Sequence, residues 1–124
     1  MGPERALLAL GAVSGCLGVA LAAAAAHGPG GTSLETSSRF LLMHAPALIG
    51  LAAASAAGLG QRALTVLAGA LLALGLALFS GDLAYRAFRS AALFPTAAPI
   101  GGLLLMGGWA LVAVAAVMGG RKRL

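Results

Sequence analysis

The stretch ALTVLAGALLALGLALFSGDL, Ala63–Leu83, decides the fold. A helix rises ~1.5 Å per residue, so a segment of this length covers a hydrocarbon core of ~30 Å. Its one ionisable side chain, Asp82, stands at its end. Three further apolar stretches of similar length lie at Ala6–Ala26, Phe40–Leu59 and Pro99–Met118. Together they predict an all-α integral membrane protein: a four-helix bundle with short connections, forming one domain over 1–124.

Composition points the same way. The 124 residues are 60% hydrophobic and only 9% charged, where a soluble domain carries about 25% charged residues. The net charge of +5 raises the question of nucleic acid, but the basic residues form no patch interleaved with aromatics. They flank the spans instead, so lipid is the expected surrounding and no nucleic-acid partner is expected. Arg5, Arg62, Arg121, Lys122 and Arg123 fall on one side of a four-span topology; Arg39, Arg86 and Arg89 fall on the other. That asymmetry predicts both termini in the cytoplasm. Cys16 is the only cysteine, which excludes an intramolecular disulfide framework. Val13-Ser14-Gly15-Cys16 has the look of a lipoprotein processing site, but Leu17–Ala26 stays apolar where a polar linker normally follows.

The connections constrain how the spans pair. Gly58-Leu59-Gly60-Gln61-Arg62 is short enough to join only adjacent antiparallel helices. His27-Gly28-Pro29-Gly30-Gly31 stops the first span. Thr32 and Glu35 have capping-box spacing, so the second helix is expected to start near Ser33, with Glu35 four residues before Arg39. The third connection, Ala84–Ala98, interleaves Tyr85, Phe88 and Phe94 with Arg86 and Arg89, which suits a segment at the membrane interface.

Small residues recur every four positions, a pattern that lets helices approach closely in lipid. The stripes include Gly11/Gly15, Gly18 with Ala22, Gly50/Ala54/Gly58 and Gly69/Ala73/Ala77/Gly81. The pairs Gly101-Gly102 and Gly107-Gly108 lie in the fourth span. Gly11, Gly15, Gly18, Gly50, Gly69, Gly81, Gly101 and Gly102 are therefore the expected packing glycines. Leu76, on another face from the third stripe, is expected to tolerate truncation if that face meets lipid.

Polar residues with chemical promise gather toward one end: His27, Arg39, His44, Ser80, Asp82 and Arg86. Ionisable groups within spans are costly and merit a functional hypothesis. Asp82 has a ready partner in Arg86 at i+4, which favours a boundary ion pair. His27 and His44 are offset in depth, which disfavours a bis-histidine haem. His27, His44 and Asp82 are acceptable metal ligands without tight spacing, so no metal and no cofactor is expected. Pro46 removes the donor for the Leu42 carbonyl, which some side chain could satisfy. Trp109 lies mid-span, and its indole N–H needs an internal acceptor. His44 is expected to be a neutral imidazole hydrogen-bonded between spans. No nucleophile–base pair, phosphate loop or CxxC occurs.

Four motifs in order resemble a known family. They are Ala25-Ala26-His27-Gly28, Arg39-Phe40-Leu41-Leu42-Met43-His44-Ala45, Leu78-Phe79-Ser80-Gly81, and Pro99-Ile100-Gly101-Gly102 with Gly108-Trp109-Ala110-Leu111. Over nearly the whole chain the pattern is similar to the YgdD/YwdK-type family of small inner-membrane proteins. Asp82 stands where that family usually has serine, and Pro46 is atypical. The resemblance implies four transmembrane helices in the bacterial inner membrane and no established activity.

Three functions fit these residues. The leading expectation is a non-catalytic accessory or scaffold subunit that packs against a larger membrane complex or against itself. A second is a binding module for a quinone, lipid or metal, using the His/Arg/Asp cluster. A third is a small transporter or channel, which would have to oligomerise because so few polar residues could line a pore.

Overall fold

A computed structural model describes residues 1–28 and 31–119. Pro29, Gly30 and the basic residues Arg121, Lys122 and Arg123 lie outside the described residues. The described chain forms four helices and no strand: α1 (Pro3–His27), α2 (Gly31–Ala56), α3 (Arg62–Arg89) and α4 (Ala97–Met118). Each is long and apolar enough to cross a membrane. Consecutive helices pair: α1 packs along α2, α2 along α3 and α3 along α4, while α1 touches α3 only slightly. Among the described residues, α4 makes no backbone approach to α1 or α2. The middle helices α2 and α3 are consequently more enclosed than α1 and α4.

Glycine decides where the backbones meet. A methyl group at Gly101 would come within 2.5 Å of the Phe79 amide nitrogen and 2.8 Å of the Gly75 carbonyl oxygen. At Gly75 it would lie 2.8 Å from the Gly101 carbonyl oxygen. The α3–α4 seam is thus a direct backbone contact that no larger residue permits. Gly108 meets Leu72, Gly69 meets Leu7, Gly11 meets Ile49 and the Ala45 carbonyl, and Gly18 meets Leu42. Gly15 and Gly102 stand at ordinary contact distance, 3.5 Å from the Ala45 side chain and 3.9 Å from the Phe79 ring. Gly81 comes no nearer than 3.8 Å to Leu93, and Gly50 has nothing within 4 Å.

The α3 face that packs runs through Thr65, Ala68, Gly69, Leu72, Gly75, Leu76, Ser80 and Asp82. From Thr65 to Ser80 each of these residues has another of the set three or four positions away. A strict four-residue stripe advances about 40° per step at 3.6 residues per turn, so Gly69/Ala73/Ala77/Gly81 winds off that face. Ala77 is exposed and Leu76 is buried in the core with Leu48, Leu72 and Leu105. Leu76 faces neighbouring helices, so the condition for a tolerated truncation, a face that meets lipid, is not met.

Two helix ends also differ from the sequence expectation. α2 begins at Gly31, whose φ of +50° suits glycine, so Thr32 sits inside the first turn. α3 continues past the apolar stretch to Arg89, carrying Tyr85, Arg86 and Phe88 on its last turns. It stops where Ser90 turns left-handed, with its N–H donating to the Arg86 carbonyl at 2.8 Å. Gln61 begins α3: its side chain accepts from the Leu64 N–H at 2.8 Å, satisfying a first-turn donor. The Gln61 N–H donates to the Ala115 carbonyl at 2.9 Å, which docks the α2–α3 turn on the end of α4.

Candidate functional site

Phe40 and Trp109 flank His44. Phe40, Met43 and His44 share one face of α2, being three and four residues apart. Gly102, Leu105, Met106 and Trp109 form the matching face of α4. With Phe79 of α3 these residues line a groove of about 330 Å³ between α2 and α4. Phe40 stacks on His44 at 5.9 Å between ring centres and meets Phe79 at 4.4 Å. The glycine at 102 keeps the floor of the groove low, because no side chain rises there.

His44 is buried and both ring nitrogens are engaged. The indole Nε1–H of Trp109 donates to Nε2 at 3.1 Å. An indole can only donate, so Nε2 accepts and the ring proton sits on Nδ1, which donates to the Phe40 carbonyl at 2.8 Å. The Leu42 carbonyl, deprived of its usual donor by Pro46, is not the one His44 serves. Trp109 is 45% exposed, so its ring closes one side of the groove and leaves the other to lipid. In this state His44 offers no free lone pair to a metal and no free donor to a ligand.

The remaining residues of the sequence-derived cluster do not converge on His44. Asp82, with its side chain 0% exposed, accepts from Arg86 Nε at 2.8 Å and from the Leu93 N–H at 2.8 Å. It thereby ties α3 to the α3–α4 connection. Ser37 Oγ donates to the Ser80 carbonyl at 2.7 Å across the α2–α3 seam. The buried Ser80 hydroxyl has no partner. Arg39 Nη2 pairs with Glu35 at 2.6 Å on the surface of α2, and His27 is exposed at the end of α1. Among the described residues no group of three or more His, Cys, Asp or Glu side chains is placed to hold a metal.

A second polar cluster, at the opposite end, is absent from the sequence-derived set. Glu4 accepts from Arg62 Nε at 2.8 Å and Nη2 at 3.0 Å, and from Ser55 Oγ at 2.5 Å. Glu4 precedes the first apolar stretch, and the Arg62 guanidinium, aided by the Ser55 hydroxyl, holds its carboxyl down to about 2. Three helices are stapled by this one carboxylate. Its signal in the sequence is faint: opposite charges just outside two spans, and a serine one turn inside a third.

Residues 21–102 match a family described as a protein of unknown function, DUF423. Over 129 aligned residues the chain is 34% identical to the UPF0382 inner membrane protein YgdD of Escherichia coli (strain K12), covering 96% of this chain and 95% of that protein. The protein of the same name from Shigella flexneri matches with the same identity and coverage. No solved structure matches the chain. With four helices fit to span the membrane in which those relatives are placed, the chain belongs to the DUF423 family of inner membrane proteins.

Proposed function

We propose that this protein is a non-catalytic accessory or scaffold subunit, which works by helix contact with a larger membrane complex or with further copies of itself. One observation carries the reading: among the described residues the buried polar side chains, the Ser80 hydroxyl apart, are hydrogen-bonded to one another or to backbone. Asp82, Ser37, Ser55 and His44 each have an internal partner, and both nitrogens of His44 are engaged. A catalytic site needs a base or nucleophile free to reach a substrate, and this bundle uses its polar groups as stitching. Outward, α1 presents Val13, Leu17 and Val19, and α4 presents Leu103, Met106 and Val117.

Both termini belong in the cytoplasm on this reading. The Glu4–Arg62 pair and the Gln61–Ala115 hydrogen bond gather the N-terminus, the α2–α3 turn and the end of α4 at one end. In the sequence, five of the eight basic residues precede the first span, lie in the second connection or follow the fourth span, which supports placing that end inside. Purification from native membranes in mild detergent, with mass spectrometry of what co-purifies, tests the role. A stoichiometric protein partner or a homo-oligomer is the expected result. Monomeric protein carrying a stoichiometric small molecule would support the second reading, a module for a quinone or lipid, which the aromatic and methionine lining of the α2–α4 groove favours.

A further inference from the structure

α1 and α2 cross closest where Gly11 meets Ile49 and the Ala45 carbonyl, and where Gly18 meets Leu42. Between Gly11 and the Glu4 end a trough of about 290 Å³ lies between the two helices on the outer surface, and its lining includes Arg5, Leu8, Ile49, Ala53 and Ala56. The alanines supply only methyl groups, so side chains of the bundle leave the trough unfilled. Its lipid-facing wall runs roughly 10 Å along α2 between Ile49 and Ala56. The volume is at the low end for a small-molecule pocket, about 300–1,000 Å³, and suits a length of acyl chain better than a compact ligand.

The mouth of the trough carries net positive charge. Glu4 lines it, but its carboxylate is held by both Nε and Nη2 of Arg62. Arg5, the neighbouring cation, is exposed and makes no ion pair among the described residues. A guanidinium next to an apolar slot matches a phosphodiester joined to an acyl chain, because it binds phosphate oxygens in pairs. The other end of the same seam makes a contrast. Its trough, about 410 Å³, is headed by Arg39, and that guanidinium is already paired with Glu35 at 2.6 Å.

We propose that the Arg5 trough seats one anionic phospholipid, its phosphate on Arg5 and one acyl chain lying between Leu8 and Ala53. Native mass spectrometry of the full chain tests this, with phosphatidylglycerol and phosphatidylethanolamine of matched chains added in turn. Wild type should retain one phosphatidylglycerol in preference to phosphatidylethanolamine. Arg5→Gln should weaken phosphatidylglycerol retention about fivefold, the worth of one basic residue at an anionic surface. Ala53→Phe, which fills the slot from an exposed position, should abolish it, and Arg39→Gln should leave it unchanged. Equal retention of the two lipids by wild type overturns the proposal. So does retention of phosphatidylglycerol at wild-type strength by either Arg5→Gln or Ala53→Phe, or its loss in Arg39→Gln.

Discussion

Trp109 Nε1 donates to His44 Nε2 at 3.1 Å, joining α4 to α2 although their backbones make no close approach among the described residues. The bond explains why an indole sits in mid-span and why the imidazole holds its proton on Nδ1. It also sets the width of the aromatic groove, since the two rings stand 5.7 Å apart across it.

Trp109→Phe keeps the ring and removes the donor, leaving the buried His44 Nε2 unpaired. Interhelical hydrogen bonds in membranes average about 0.6 kcal/mol, with a maximum near 1.7. A double-mutant cycle of Trp109→Phe with His44→Ala, read by unfolding in detergent, should give a coupling in that range. Purely additive losses would mean that the bond contributes nothing to the bundle.

Gly101→Ala should destabilise the protein by roughly 1–3 kcal/mol, because the added methyl runs into the backbone at Phe79 and Gly75 rather than a movable side chain. Gly50→Ala should do the opposite, gaining about 0.5–1 kcal/mol of helix propensity at a position with nothing within 4 Å. Unfolding of the two variants side by side checks the assignment of the seam.

Asp82 acts on the α3–α4 connection more than on Arg86, whose side chain is 42% exposed and so gains little from pairing. Asp82→Asn keeps an acceptor for the Leu93 N–H and should leave amide exchange there close to wild type. Asp82→Ala removes the acceptor and should accelerate exchange at Leu93. Equal behaviour of the two variants would contradict the clamp.

The Glu4 carboxyl titrates lower in the folded protein, about 2, than its ordinary value of 4.5. A depressed folded value means the contribution is complete above about 4.5 and is lost as pH falls toward 2. Wild type should therefore lose its stability advantage over Glu4→Gln between those values, as measured by thermal unfolding across that pH range. An advantage that stays constant with pH would exclude the Glu4–Arg62–Ser55 staple.

The number and order of the helices were readable because hydropathy over a span-length window needs no knowledge of contacts. Asp82 with Arg86 and Glu35 with Arg39 were readable too, since both pairs are four residues apart on one helix. His44 could be read as a bond between spans and Trp109 as an indole seeking an acceptor, but their pairing depends on how α2 and α4 face each other. The same limit hides Glu4, Ser55 and Arg62, which meet from three helices. Gly75 escaped because it breaks the four-residue stripe: a packed face follows the 3.6-residue turn, alternating threes and fours.

The bundle pairs its buried polar side chains internally, the Ser80 hydroxyl apart, and the proposed role therefore falls to its outer helices. A photoreactive residue at Leu103 of α4 or Leu17 of α1, activated in native membranes, tests it directly. A discrete protein–protein adduct is the expected result from at least one of these faces. Cross-links to lipid alone from both positions, with none to protein, would contradict it.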